Sequence, residues 1–190
     1  NQLVDDIPAN LGKLSQLEEL DLSSNQLTGN IPEQLGDLGD LQKMYLHNNQ
    51  LDGEIPDAFA DLDALVELNL MNNQLSGNLP SALGDMANLA YLNISGNQLT
   101  GPLPVELSYN ADLEKIILKS NHLSGEIPAE VGNIVGLKTL DVSQNAFEGE
   151  IPPSLVSILE SGPGIWNYVS FGYNCLDAED PTLIAYLDVN

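Results

Sequence analysis

Few side chains in this sequence have both the type and the spacing to do chemistry. Ser23 and His47 occupy equivalent places in successive segments, with Asp21 and Glu67 close to them in the same pattern. A serine, an imidazole and a carboxylate are the parts of a nucleophilic triad, in which the base takes the hydroxyl proton and the acid orients the base. Such a triad also needs an oxyanion hole and shelter from water, and an exposed surface of repeated residues offers neither. Asp37 with Asp40, and Asp61 with Asp63, could present carboxylates to a hard cation, yet neither pair has the spacing of a calcium loop. They read as solvated acids, and His122 reads as a solvated turn residue. Cys175 is the one cysteine, so it has no internal disulfide partner and is expected to be a partly buried, inert thiol. The expectation is a protein that is not an enzyme, with no catalytic residue, no metal and no cofactor.

Charge narrows the partners. The chain carries 28 Asp and Glu against five Lys and Arg, a net charge of −23. A polyanion of this size repels nucleic acid phosphates and anionic membrane surfaces, so nucleic acid is excluded as a partner. Apolar residues make up 43% of the chain and aromatics only 5%. That content is enough to fold, with leucine doing most of the burial. No apolar run approaches the ~20 residues that span a bilayer, so direct membrane insertion is not expected either.

The elements that must position these groups are set by a repeat. Asn1, Asn25, Asn49, Asn73, Asn97, Asn121 and Asn145 are each 24 residues apart, and Asn174 follows after a longer interval. Around each runs a pattern such as Leu17-x-x-Leu20-x-Leu22-x-x-Asn25-x-Leu27-x-Gly29-x-Ile31-Pro32, then Leu35-Gly36 and Leu38. Leu20-Asp21-Leu22 alternates with period two, which predicts a short strand with its leucines inward. The asparagine then sits at a turn, where its amide can satisfy unpaired backbone groups in register with the next coil's asparagine. This assigns Asn25, Asn49, Asn73, Asn97, Asn121, Asn145 and Asn174 to a structural ladder. Gly29 supplies backbone freedom and Pro32 an extended, donor-free step, so the return path is expected to be irregular. One coil cannot bury its own leucines, so the coils must stack into a solenoid with one continuous parallel sheet.

The repeat resembles the plant-type leucine-rich repeat over roughly four-fifths of the chain, with six copies from Leu17 to Pro152. Asp5 in place of the repeat glycine, Pro102 at a variable place and Asn110 where leucine is usual are the local departures. The resemblance implies an α/β repeat fold: a horseshoe with a concave parallel β-sheet, an irregular convex side and a short C-terminal capping helix. One domain is expected over 1–190, divided into a partial first repeat (1–16), regular repeats (17–153), a longer last repeat (154–176) and a cap (177–190). Within it, 154–161 is expected to be extended, and Asp180-Pro181 to open a helix reaching Leu187. Asn1 already stands at a ladder position without the cysteine-bearing cap of plant extracellular members, so a partial chain is expected. The tail from Gly172 to Asp188 is similar to the ending of bacterial repeat proteins, which suggests a bacterial secreted or surface member.

Binding must then fall to the variable outward positions. Three columns face out of the concave sheet, at six, four and two residues before each ladder asparagine. Together they hold four acids and three lysines, which leaves 24 acids and two lysines for the rest of the chain. This near-neutral face also gathers tyrosines and apolar side chains, a mixture enriched at protein interfaces. Lys43, Tyr45, His47, Met71, Tyr91, Lys115, Ile117 and Lys119 are the candidate binding residues. Seven strands about 4.8 Å apart span roughly 30 Å, room for a protein or polysaccharide and too open to enclose a small molecule. The expected function is recognition of a macromolecule by an extracellular or cell-surface module. Two alternatives stand beside it: the ectodomain of a kinase-type receptor, and an ice- or mineral-binding surface built on Thr28, Asp52, Ser76, Thr100, Ser124 and Glu148, a column too mixed for a uniform lattice.

Overall fold

Three residues of alternating polarity suffice for a strand when the next coil supplies its hydrogen-bonding partner. The computed structural model describes residues 2–159, 168–179 and 181. In chain order its strands are β1 (Val4–Asp6), β2 (Glu19–Asp21), β3 (Gln26–Thr28), β4 (Lys43–Tyr45), β5 (Glu67–Asn69), β6 (Tyr91–Asn93), β7 (Thr100–Gly101), β8 (Lys115–Ile117), β9 (His122–Gly125), β10 (Thr139–Asp141), β11 (Ala146–Glu150), β12 (Tyr168–Ser170) and β13 (Cys175–Asp177). Seven of them form the concave sheet, in the order β2-β4-β5-β6-β8-β10-β12. All pairs are parallel, and the register puts equivalent repeat positions side by side, as in Glu19 opposite Lys43 and Lys43 opposite Glu67. The central residue of each strand points inward, and Leu20, Met44, Leu68, Leu92, Ile116, Leu140 and Val169 are all buried.

The turn after each strand is closed by its ladder asparagine. Asn73 Nδ2 donates to the carbonyls of Leu70 (3.1 Å) and of Leu46 in the preceding coil (3.0 Å), while its Oδ1 accepts from the Leu51 amide (3.1 Å). Asn49, Asn97, Asn121 and Asn145 repeat this arrangement, and Asn174 does so across the longer interval, with Phe147 N, Val142 O and Phe171 O. Each of these side chains, buried at Asn73, Asn97 and Asn121 and half-buried at Asn49, Asn145 and Asn174, therefore ties three segments of backbone from two adjacent coils. The residue before it takes a left-handed conformation, as at Asn48 (φ 56°) and Asn72 (φ 53°).

The convex side is more regular than the sequence implied. A proline near φ −65° leads into a five-residue 3-10 helix in each full repeat, as in Glu33–Asp37 and Ser81–Asp85. Five residues give one turn and a half, too few to leave a helical period in the sequence, while Leu35, Phe59, Leu83, Leu107 and Val131 anchor the turns in the core. Between the two sides lies a second set of parallel strands, β1-β3 and β7-β9-β11-β13, joined by bridges at Asn30–Asp52 and Asn78–Thr100. Its register is offset by 22 residues between regular coils, with Val4 opposite Gln26 and Thr100 opposite His122, and by 27 across the longer last repeat, with Glu148 opposite Cys175. Asp5, which replaces the repeat glycine, keeps that glycine's conformation with φ 69°, against 70° at Gly29.

Two expectations change at the C-terminal end. Pro153–Leu155 is a 3-10 turn running into α1 (Val156–Leu159), so this stretch is helical rather than extended, with Leu155 and Ile158 packed into the core. Cys175 is exposed, because it lies on the outward side of β13 opposite Glu148. The expected capping helix after Asp180 and the segment 160–167 lie outside the described residues.

Candidate functional site

The concave columns are rows of neighbours in space. Glu19, Lys43, Glu67, Tyr91, Lys115, Thr139 and Tyr168 stand strand to strand, and Asp21, Tyr45, Asn69, Asn93, Ile117, Asp141 and Ser170 form the next row. This register brings Lys43, Tyr45, His47 and Met71 together on β4 and β5 and the turns after them, and Tyr91, Lys115, Ile117 and Lys119 together on β6, β8 and the turn after β8. All eight are exposed or half-buried.

Sequence reasoning treated every outward position as available, and hydrogen bonding divides them. Asp21, Asn69, Asn93 and Asp141 each turn a side-chain oxygen back to the amide two residues on, at 2.9, 3.1, 3.1 and 3.0 Å. Asn93 and Asp141 also accept the hydroxyls of Ser95 (2.7 Å) and Ser143 (2.6 Å). These are Asx turns that fix the path of the chain, and they bury Asn93, Asp141 and Ser143. The signal for three of them was present: an Asx residue two places before a serine, in Asp21-Leu22-Ser23, Asn93-Ile94-Ser95 and Asp141-Val142-Ser143, whereas Asn69 precedes Met71. Tyr45 and Ile117 stand in the same row, where neither side chain can make that bond. Their outward parts are not consumed by the turn.

The first cluster is internally connected. The Tyr45 hydroxyl donates to Glu67 Oε2, and Lys43 Nζ lies 3.6 Å from Glu67 Oε1. Burial, followed by the Glu67 hydrogen bond and charge, pushes the Tyr45 phenol above its ordinary value. The Tyr45 and His47 rings meet edge to face, 6.2 Å between centroids. In the second cluster Tyr91 accepts from Asn93 Nδ2 at 3.1 Å. Beside it a shallow depression of about 360 Å³ is lined by Val66, Glu67, Ala90, Tyr91, Glu114 and Lys115.

The triad sketched from the sequence does not assemble. Ser23 hydrogen-bonds Asp21 through both its side chain and its amide, and these bonds hold the Asp21 carboxyl below its ordinary value. His47 Nδ1 is buried with no hydrogen-bond partner, so no acid orients the imidazole through that atom. Among the described residues no group of three or more His, Cys, Asp or Glu converges on a metal position.

Two family models, both described as leucine rich repeat, match the chain, one over residues 1–51, 15–75 and 46–99 and the other over 112–134 and 136–158. No curated protein matches it. Among solved structures it is similar to the LRR ectodomain of the plant membrane receptor kinase GASSHO1/SCHENGEN3 from Arabidopsis thaliana in complex with CASPARIAN STRIP INTEGRITY FACTOR 2, at 35% identity and a TM-score of 0.90, covering 98% of this chain and 22% of that one. It is similar also to the Arabidopsis receptor kinase HAESA in complex with the peptide hormone IDA and the co-receptor SERK1, at 36% identity and a TM-score of 0.90, covering 97% and 30%. A plant ice-binding protein matches at 31% identity and a TM-score of 0.78, over 86% of this chain and 52% of that one. The chain thus spans less than a third of the two receptor chains.

Proposed function

The chain belongs to the leucine-rich repeat family, and from that premise we propose that 1–190 is a single recognition domain that binds a protein or peptide partner on its concave sheet. The observation that carries this reading is the division of the outward positions. Asx and serine side chains hold the turns, while Tyr45, Tyr91, Met71, Ile117 and the lysines keep exposed or half-buried surface beside them. Rigid rings next to half-buried apolar groups are what interface anchors are made of. The receptor ectodomains it resembles were solved with CASPARIAN STRIP INTEGRITY FACTOR 2 bound or with a peptide hormone and a co-receptor bound, which supports a protein or peptide partner over a polysaccharide. It also supports an extracellular or cell-surface setting and the receptor-ectodomain alternative. Among the described residues no helix is long and apolar enough to cross a membrane.

Ice or mineral binding is the second reading, favoured by the likeness to a plant ice-binding protein and by the exposed row Gln2, Gln26, Gln50, Gln74 and Gln98 along the second sheet. That row ends at His122 and Ala146, which limits any lattice match to five coils.

The test is capture from the native surroundings with wild-type protein and with the double variant Tyr45→Ala, Tyr91→Ala. A retained partner should be lost in the variant while the melting temperature stays near that of wild type. Retention that survives in this variant but fails when the convex acids Asp57 and Asp61 are changed would place binding on the other side.

A further inference from the structure

The five basic residues of the chain are all lysines, and their surroundings differ. Lys43 is held by Glu67 at 3.6 Å and Lys138 by Glu114 at 2.6 Å, while Lys13 lies at the end of the first 3-10 helix, away from the concave sheet. Among the described residues Lys115 and Lys119 make no ion pair. They flank Ile117 with a spacing of two residues on either side, so all three side chains leave the same face of the sheet. At about 3.3 Å per residue the two lysines stand roughly 13 Å apart.

The neighbours keep this strip cationic. Tyr91 and Thr139 flank Lys115 across the sheet, and Asn93 and Asp141 flank Ile117. Asp141 is buried, with one carboxylate oxygen holding both the amide and the hydroxyl of Ser143. Glu114 is engaged by Lys138. At the other end of the sheet the outward side chains of β2, β4 and β5 include Glu19, Asp21 and Glu67 against Lys43 alone. The concave face is therefore not uniformly neutral: it is acidic over its first three strands and basic over β8.

We propose that Lys115, Ile117 and Lys119 form the anion-recognising subsite of the concave face, and that its occupant is an extended peptide segment with two acidic side chains four residues apart around an apolar one. The inference rests on the concave-face reading above and adds the chemistry of the ligand. The match is one of period. An extended segment along β8 repeats its side chains at the same spacing as the strand, so an acid-x-apolar-x-acid pattern sets each carboxylate over a lysine and the apolar group over half-buried Ile117. The remaining surface, at a net charge of −23 for the chain, repels the same segment and so orients it. A sulfated or uronic polysaccharide would satisfy the lysines but would lay hydroxyls against Ile117 and leave them poorly paired.

The experiment is selection of a random-sequence peptide library on the immobilised protein. The enriched peptides are then titrated against wild type, Lys115→Gln with Lys119→Gln, Tyr45→Ala with Tyr91→Ala, and Lys13→Gln, with heparin as a second probe. The proposal expects acidic peptides with the stated spacing, weakened by salt, bound about tenfold more weakly by the Lys115/Lys119 variant and unchanged in Lys13→Gln. Peptides lost in the Tyr45/Tyr91 variant but indifferent to Lys115 and Lys119 would overturn the subsite and leave the concave face standing. Peptides indifferent to every concave substitution would overturn both. Heparin binding through the two lysines, with no acidic peptide enriched, would overturn the peptide assignment.

Discussion

Replacing Asn73 by alanine tests what the asparagine ladder contributes, and its cost can be worked from the bonds it breaks. The Leu51 amide loses its acceptor, Asn73 Oδ1, in a buried turn. The two carbonyls on the donor side fare better. Leu46 O still receives Asn49 Nδ2 at 3.0 Å, and Leu70 O still receives Asn97 Nδ2 at 3.1 Å. One orphaned buried amide costs about 1–3 kcal/mol, and the two demoted carbonyls add little. The expected loss is about 2 kcal/mol, or roughly 4–8 °C in melting temperature for a chain of this length. Asn25 is the internal control, because its acceptor bond serves the amide of exposed Leu3, which water can replace. Asn25→Ala should cost less than about 1 kcal/mol. The shared carbonyl makes a sharper demand: in the double variant Asn73→Ala, Asn97→Ala, Leu70 O loses both side-chain donors, so the pair should cost more than the sum of the singles. Urea unfolding, with the slope checked for each variant, measures all four proteins. Equal losses at Asn25 and Asn73, or strict additivity at Asn73 and Asn97, would refute the ladder as described.

Two further outcomes follow from the packing and from the Tyr45 cluster. A Cβ on Gly84 would lie 2.2 Å from the Glu106 carbonyl oxygen of the next coil, whereas one on Gly39 meets nothing within 4 Å. Gly84→Ala should therefore destabilise by about 1–3 kcal/mol and Gly39→Ala should be neutral or mildly stabilising; equal effects in urea unfolding would count against coil contact as the reason for the glycine. Tyr45, raised by burial and by Glu67, should ionise above the ordinary tyrosine range in an ultraviolet absorbance titration, and Tyr45→Phe should remove that late step. Because folding favours its protonated form, the stability it lends is complete below about pH 10 and is lost as pH rises through the folded value. A titration unchanged in Tyr45→Phe would sink this account.

The repeat was legible because its constraints recur. A strand of three residues, a turn asparagine and a leucine every few positions are imposed on every coil by the same contacts, so the spacing of Asn25, Asn49 and Asn73 already implied the sheet register. The second sheet was not legible for a related reason. Between regular coils its strands pair with an offset of 22 rather than 24 residues, so Thr100 lies opposite His122 and its pairs join unlike residues. Nor could the convex 3-10 turns be read, since five residues leave no period to find. Asp5 shows the converse: the sequence broke the glycine pattern, but the coil geometry required a left-handed residue there, and Asp tolerates that conformation better than most side chains.

The candidate site was legible only as positions, because whether an outward side chain is available depends on its neighbours rather than on its type. Asp21, Asn69, Asn93 and Asp141 all stand in an outward row, yet each is drawn back by the amide two residues on. The same holds for charge. Lys43 and Lys115 occupy one row, but Lys43 has Glu67 on the next strand while Lys115 has Tyr91 and Thr139 on either side. A sum over columns gives both lysines equal weight and describes the face as neutral. Pairing in space removes Lys43 and leaves a basic strip over β8 facing an acidic end over β2. In a stack of near-identical coils the consensus residues are alike from one end to the other, so direction along the sheet can be written only in the variable rows. It is this polarity, rather than the neutrality of the whole, that a bound segment would sense.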